Sequence, residues 1–386
     1  MKKFKYDIGI VGGGGHVGFP LGLIFASKKK KVVLYDINVK VLNEIKKDKV
    51  PFKEENALNY LKKFKKNIFL STEKSILTEC KFIIICIGTP INKRTLLPEL
   101  KPFLNFFYGL KNLIIKEQHI IIRSSVYIGS LNKIFKIINN RNITYCPERI
   151  VQGKSLTELP NLPQIVSGYS QASINEVSNL FKKICKKIIL TTVDEAELIK
   201  LLSNAFRYIH FSISNEFYTL CDQLQLDFKK IRNYMIEGYL RSSEIPTAGF
   251  AAGPCLLKDT MQVSHFFKKK FLLGESAIKI NQNTPNFIFG HLKRNFNLNN
   301  KVIGVLGVTF KADSDDIRDS LSIELIKILK KNKIKFFQSD EYYKSEKNIS
   351  CNDLIKKSDI IIIGVPHKKY KKIKIPRKKV IINMWQ

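Results

Sequence analysis

Three short segments hold side chains whose types and spacing suit chemistry. Gly249-Phe250-Ala251-Ala252-Gly253-Pro254-Cys255-Leu256-Leu257-Lys258-Asp259 sets a thiol in a glycine- and proline-rich turn, with a lysine and a carboxylate just after it. A cysteine in such irregular backbone, beside charged neighbours, has the setting of a nucleophile for covalent catalysis. Lys200-x-x-x-Asn204 places an ammonium and an amide one helical turn apart, on one face. Cys146-Pro147-Glu148-Arg149 supplies a further carboxylate. Each segment also has an ordinary reading. Most cysteines are small buried hydrophobes, and a lysine and an asparagine one turn apart are commonly solvated.

A fourth segment binds rather than reacts. Gly13-Gly14-Gly15-His16-Val17-Gly18 forms a GxGxxG that follows an apolar run, opens an apolar helix, and is followed by Asp36 at the end of a second apolar run. This is the full context of a dinucleotide site. Gly13 is expected to permit the tight turn, Gly15 to let the backbone approach the pyrophosphate at the helix N-terminus, and Gly18 to allow close helix–strand packing, with His16 and Val17 completing the loop. Asp36 would accept hydrogen bonds from the adenosine ribose and repel a 2′-phosphate, so NAD is expected over NADP. Two more apolar runs end in Cys86-Ile87-Gly88-Thr89-Pro90 and Arg123-Ser124-Ser125, whose small hydroxyl residues, Thr89 and Ser125 among them, suit the lining of the same crevice. They would serve equally well as helix caps.

These segments need elements to position them. The first 190 residues or so alternate short apolar runs with amphipathic stretches, as parallel βαβ units do. Strands are expected at Tyr6 to Val11, Val32 to Tyr35, Phe82 to Cys86, Ile120 to Ile122 and Ile188 to Leu190, with the β-branched content of strands buried on both faces. Asp194 to about Leu224 reads as one long helix, without Gly or Pro and with acidic residues in its first turn. Helical sequence is expected to continue to about Asn297. Lys301 to Gly307 then opens a second βα series, with strands at Ile360 to Gly364 and Val380 to Asn383. The expectation is an α/β protein: an N-terminal Rossmann dinucleotide-binding domain (1–190), a central long-helix connector (191–297), and a smaller Rossmann-like α/β domain (298–386).

Size and composition agree with a globular chain. It has 386 residues, 44% hydrophobic and 26% charged, enough for two or three cored domains. The net charge of +33 admits nucleic acid, a membrane surface or an anionic substrate. The basic residues, however, are spread in short runs without interleaved aromatics, alongside abundant Ile, Asn and Phe. A compositional drift, with attraction of an acidic substrate as a secondary effect, is the preferred account, so no nucleic-acid or membrane partner is expected. Seven cysteines, an odd number without a CxxC pair, argue against a disulfide framework and a zinc site. No apolar run approaches a bilayer-spanning length, and a cytoplasmic location is expected.

In these motifs the chain resembles the UDP-glucose/UDP-N-acetylhexosamine 6-dehydrogenases, over essentially its whole length and in order. The matching segments are the GxGxxGxP start through Pro20, the Gly-Thr-Pro turn, the Pro-Glu segment, Lys-x-x-x-Asn, Gly-Pro-Cys-Leu-x-Lys-Asp, and Phe310-Lys311-Ala312-Asp313-Ser314-Asp315-Asp316-Ile317-Arg318-Asp319-Ser320. The resemblance implies a four-electron oxidation of a sugar CH2OH to a carboxylate with two NAD, yielding precursors for cell-surface polysaccharide. It implies that Lys200 and Asn204 donate hydrogen bonds to the developing oxyanion. Cys255 would attack the aldehyde to give a thiohemiacetal and then a thioester. Glu148 and Asp259 would activate or position the hydrolytic water. Lys258 and Arg318 would contact the cofactor. Lys311 and Arg241 would contact the substrate, Arg241 across a homodimer, and Phe250 and Gly253 would line the sugar site.

Two departures stand out. Gln152 lies where many family members carry a second glutamate, which throws thioester hydrolysis onto Glu148 and Asp259. Ser125 stands where threonine is commoner and keeps the hydroxyl. The Pro-Glu-Arg and Gly-Phe-Ala-Ala-Gly-Pro-Cys variants lean toward an N-acetylated hexosamine over glucose. Two rival readings remain. A one-step β-hydroxyacid dehydrogenase of the 6-phosphogluconate type shares Lys-x-x-x-Asn but needs neither Cys255 nor the segment after Lys301. A basic binding protein that has lost catalysis would account for the charge.

Overall fold

The glycine loop and the hydroxyl-bearing turns leave neighbouring strands of one sheet. The computed structural model describes residues 4–89 and 99–385, so Pro90 lies outside the described residues. The chain divides into two compact units, 1–202 and 203–386, the boundary falling inside the long helix Val193–Gln223.

In the first unit, β1 (Tyr6–Val11), β2 (Val32–Tyr35), β3 (Ile68–Ser71), β4 (Cys80–Ile85), β5 (His119–Ile122), β6 (Ile143–Tyr145), β7 (Gln164–Gly168) and β8 (Ile188–Leu190) form a sheet in the order β3-β2-β1-β4-β5-β6-β7-β8. All neighbours are parallel except β6 and β7. The order reverses between β1 and β4, and the loops leaving such a switch point frame a crevice at the strands' carboxyl ends. Strands β1, β2, β4 and β5 are almost wholly buried, because helices pack on both faces. Phe19, Phe25, Leu156 and Phe181 cover one face, and Phe103, Phe107, Leu131 and Ile134 the other. The helix Gly18–Ser27 is buried along all but its last residue, which explains its uniformly apolar sequence.

Strands β3, β6 and β7 were not expected from the sequence. Each is short and mixes polar residues (Ser71, Thr144, Gln164 and Ser167) into the run, so the continuous apolar signal of a doubly covered strand is lost. The remaining strands appear where apolar runs were read, within a residue or two at their ends.

The second unit holds a four-stranded parallel sheet of β9 (Ile303–Leu306), β10 (Phe336–Ser339), β11 (Ile360–Ile363) and β12 (Val380–Ile382), in the order β10-β9-β11-β12. Its core packs Leu292, Val305, Leu325, Leu329 and Ile362 together. Strand β10, with Gln338 and Ser339, also went unread. The expectation of helix as far as Asn297 is too broad. Helices occupy Phe228–Ile236, Leu256–Phe266 and Leu272–Asn295, while 237–255 is loop apart from one 3-10 turn at Leu240–Ser242. Gly238, Gly249 and Gly253 all have positive φ there, a backbone that helix cannot accommodate. Among the described residues no helix is long and apolar enough to cross a membrane.

Candidate active site

The dinucleotide loop is built by two adjoining strands. After β1, Gly12 turns the chain with φ +75°, and a Cβ on it would lie 2.8 Å from the Cys86 carbonyl oxygen. The tight turn therefore falls on Gly12 rather than on Gly13, as the sequence reading had it. Gly13 is required for another reason: a Cβ there would come 2.7 Å from Leu34 Cα on β2. Gly18 matches its expected role, since any side chain on it would collide with the Gly12 carbonyl oxygen. Val17 is the cap residue of the helix that begins at Gly18, and the positive end of that helix faces the loop. The Asp36 carboxylate accepts from the Gly14 N–H at 2.9 Å and from the Asn38 N–H at 2.9 Å. A helix N-terminus, glycine backbone and an adjacent carboxylate together fit the pyrophosphate and ribose of a dinucleotide. His16 packs at a tilt against Phe52, 4.0 Å between ring centroids, and the Gln152 amide nitrogen lies 3.1 Å from its Nδ1. The residue standing for the second glutamate thus contacts the glycine loop. From β4, the Thr89 hydroxyl donates to the Ser125 carbonyl at 2.5 Å, and the Ser124 hydroxyl donates to the Ile87 carbonyl at 2.6 Å. Ser125 is half-buried, and these bonds lock the two turns side by side.

Glu148 is also in the first unit, just past β6, and is buried. Its Oε1 accepts from the N–H groups of Arg149 (2.7 Å) and Ile150 (3.0 Å), and its Oε2 pairs with Arg123. The loop that follows is held by carboxylates: Glu158 accepts from the Val151 N–H at 2.7 Å, and Glu54 from the N–H groups of Gly153 and Ser155 at 3.0 and 2.6 Å. Neither Arg123 nor Glu54 was singled out in the sequence. Arg123 did carry a signal, an arginine directly after the four buried residues of β5, where a charge is expensive unless paired.

Lys200 and Asn204 lie on one face of the long helix, and both are buried. In the second unit the Asn204 amide donates to Asp259 Oδ2 at 2.6 Å, and Lys258 Nζ pairs with Asp259 Oδ1 at 2.8 Å. Asp259 is fully buried. Its N–H donates to the Cys255 carbonyl at 2.9 Å, which places the carboxylate one turn along from Cys255. Cys255 ends the loop as the cap residue of the helix Leu256–Phe266.

Burial pushes the thiols of Cys80, Cys86 and Cys146 up to about 12 and raises those of Cys185, Cys221 and Cys351. Of the seven, Cys255 alone is exposed.

The loop before Cys255 is clamped from several sides. Gly253 has φ +104°, and any side chain on it would collide with the Phe310 ring. Its N–H points to the Asp319 carbonyl at 3.4 Å. The Gly249 N–H donates to Asn215 Oδ1 at 2.8 Å, and Trp385 covers that glycine. Phe250 is buried in the core of this unit.

The Phe310 to Ser320 segment meets the cysteine turn. The Arg318 guanidinium is hydrogen-bonded to both Asp316 oxygens at 2.9 and 3.0 Å. That bond raises it above the ordinary arginine value, and the nearby Cys255 adds to the rise. Lys311 Nζ lies 5.8 Å over the Phe310 ring. Beneath this segment sits a buried pair that the sequence reading missed. His367 Nδ1 accepts from the Asp313 N–H at 2.9 Å, and its Nε2 lies 3.1 Å from Asp340 Oδ2. Burial works against the charge on Asp340, yet His367 and the N–H groups of Tyr343 and Tyr342 hold its carboxyl below the usual range. Arg241 lies apart from the cysteine turn in sequence and is exposed, lining a pocket with His210, Leu240, Glu244 and Pro246.

The chain is similar to known proteins over nearly its whole length. The NAD binding domain of the UDP-glucose/GDP-mannose dehydrogenase family matches residues 6–185, the central domain of that family 194–283, and its UDP binding domain 304–386. A UDP-N-acetyl-D-mannosamine dehydrogenase from Pyrococcus horikoshii is 26% identical over 398 residues, 96% of this chain and 93% of that protein. One from Methanococcus vannielii is 28% identical over 380 residues, 93% of this chain and 86% of its own length. The solved structure of a UDP-D-ManNAc dehydrogenase from Pyrococcus horikoshii superposes with a TM-score of 0.88 at 26% identity, covering 98% of this chain and 95% of that one.

Proposed function

This chain belongs to the UDP-glucose/GDP-mannose dehydrogenase family of NAD-dependent nucleotide-sugar dehydrogenases, and from that premise we propose that it oxidises C6 of a UDP-N-acetylhexosamine to the uronic acid. UDP-N-acetyl-D-mannosamine is the first substrate to test, because similar proteins from Pyrococcus horikoshii and Methanococcus vannielii bear that name. The product would be a building block of cell-surface polysaccharide. The observation that carries the chemistry is the exposed Cys255 at a helix N-terminus, one turn before a buried Asp259 joined to Asn204 and Lys258.

On this reading residues 1–190 hold the cofactor, 191–297 carry the cysteine and the subunit contact, and 298–386 hold the uridine diphosphate. Lys200 and Asn204 donate hydrogen bonds to O6 as the alcohol becomes an aldehyde. The Cys255 sulfur then bonds to C6 and the carbonyl oxygen gains a proton, giving a thiohemiacetal. Oxidation of this adduct at C6 gives a thioester. Water adds to the thioester, the C–S bond breaks, and the sulfur leaves as the carboxylate forms, with Glu148 and Asp259 assigned to the water. NAD bound at the glycine loop supplies the hydride acceptor for both oxidations. Thr89 and Ser125 line its site, and Lys258 and Arg318 contact it. Lys311 and the backbone about Phe250 and Gly253 serve the sugar nucleotide. Arg241, exposed on its loop, serves the substrate of a second copy of the chain. Leu202, Phe206, Ile213 and Leu220 are exposed along the long helix, and the seven-residue spacing of the last three is that of a helix–helix seam. A homodimer would cover them.

The test is to supply NAD with UDP-N-acetylmannosamine, UDP-N-acetylglucosamine and UDP-glucose in turn. Two NADH per sugar consumed, fastest with an N-acetylated sugar, is the expected result. One NADH per sugar would point to the single-step β-hydroxyacid dehydrogenase reading. No NADH from any sugar would point to a binding protein.

The preference for NAD over NADP rests on Asp36. Its carboxylate would accept from a ribose hydroxyl, a bond to a charged group that contributes roughly 1.5–3 kcal/mol. Asp36→Ala should therefore weaken NAD binding by about ten- to a hundredfold with the circular dichroism spectrum unchanged. Unaltered affinity in a calorimetric titration would refute the assignment.

A further inference from the structure

Arg123 is one of the largest fully buried side chains of the protein, and no step above uses it. It follows β5 directly, while Glu148 lies three residues past the end of β6. The parallel register that sets Ile122 beside Tyr145 brings these two strand ends together. The guanidinium pairs with Glu148 Oε2. From Nη1 it donates to the Cys146 carbonyl at 3.2 Å and to Gln164 Oε1 at 2.9 Å, and it lies 5.3 Å from the Phe181 ring centroid. Gln164, at the start of β7, donates in turn to the Ile165 carbonyl at 2.8 Å. One Glu148 oxygen thus rests on two backbone N–H groups, and the other on a guanidinium that is itself fastened to β6, β7 and a ring.

Stability alone gives little reason for this pair. A buried ion pair often stabilises a fold no better than apolar side chains of similar volume, whereas removing one partner alone is costly. What the pair does supply is direction: Nη1 ties the planar guanidinium to the Cys146 carbonyl and Gln164, so the Nη2 contact fixes where one Glu148 oxygen lies.

We propose that Arg123 is the positioning residue of Glu148, holding it in a single orientation and thereby setting the rate at which the Cys255 thioester is hydrolysed. The inference rests on the assignment of Glu148 to hydrolysis made above.

Four variants test it: Glu148→Gln, Arg123→Met, Arg123→Lys, and Arg123→Met combined with Glu148→Gln. In each, first-turnover NADH, steady-state NADH, the intact mass of the Cys255 adduct and the melting temperature are measured. Glu148→Gln and Arg123→Met should each slow the steady state by about a hundredfold, with first-turnover NADH retained and the adduct accumulating. Arg123→Lys should recover part of the rate. The double variant should be no slower than Glu148→Gln, and should melt above Arg123→Met because both charges leave together.

If Glu148→Gln is slow while Arg123→Met keeps the parental rate, or if the two defects multiply, the inference fails and the reading of Glu148 stands. If Glu148→Gln itself keeps the parental rate, the assignment fails and the inference falls with it. Should Arg123→Met not fold, the double variant against Glu148→Gln decides: equal hydrolysis supports the proposal, and a further fall overturns it.

Discussion

Cys255→Ala should lower uronic acid formation by on the order of a thousandfold or more, while leaving NAD affinity and melting temperature close to the parental values. The two halves of this expectation have separate grounds. The thiol is exposed and makes no capping hydrogen bond to the helix it begins, so its removal costs little packing and leaves no buried group unpaired. The chemistry has no substitute for it. Burial pushes the thiols of Cys80, Cys86 and Cys146 up to about 12, which keeps them protonated and unreactive at neutral pH. Without a sulfur to attack, the reaction should stall at the aldehyde, or at its hydrate, after at most one NADH per sugar. Product analysis by mass spectrometry reads the outcome directly. Acid formed at the parental rate would remove the covalent step from the mechanism.

The site is legible in the sequence where it is local. The glycine loop, the Lys200–Asn204 pair and the Gly253 to Asp259 segment are each compact enough for their residue types to state their own geometry. Even there the assignment slipped by one position: the glycine that needs a positive φ is Gly12, because the turn begins at the last carbonyl-paired position after β1, whereas the steric demand at Gly13 comes from β2. Contacts made across the sheet were not legible. Arg123 meets Glu148 only because β5 and β6 are parallel neighbours, and β6, with Thr144 in a run of three, carries no strand signal of its own. The pairing of His367 with Asp340 fails to show for the same reason, since it joins the ends of β10 and β11, and β10 went unread. Phe250 shows the converse: its residue type beside the cysteine turn does not announce that its ring is drawn into the core.

Asp259→Asn should lower steady-state turnover by about a hundred- to ten-thousandfold, and the enzyme that remains should carry the sugar covalently on Cys255. The size of the effect follows from how few carboxylates serve the last step. Gln152, at the position of a second glutamate in many family members, has no charge to offer, and its amide lies against the ring of His16 in the glycine loop. Glu148, oriented by Arg123 and by backbone N–H groups, shares that step with Asp259 alone, which is fully buried, one turn from Cys255, and held between the Asn204 amide and the Lys258 ammonium. Asparagine keeps the shape but removes a charge beside Lys258 and turns an amide toward a donor, so some loss of stability accompanies the kinetic one. The two are separable. If the carboxylate serves hydrolysis, the variant should release a burst of two NADH per protomer and then slow, and the intact mass should rise by one acyl sugar nucleotide, an increase that Cys255→Ala abolishes. A merely structural aspartate would give a lower melting temperature and a uniformly reduced rate, with neither burst nor adduct. The burst amplitude decides between them, because only a block after the second oxidation lets both electron pairs leave before turnover stops.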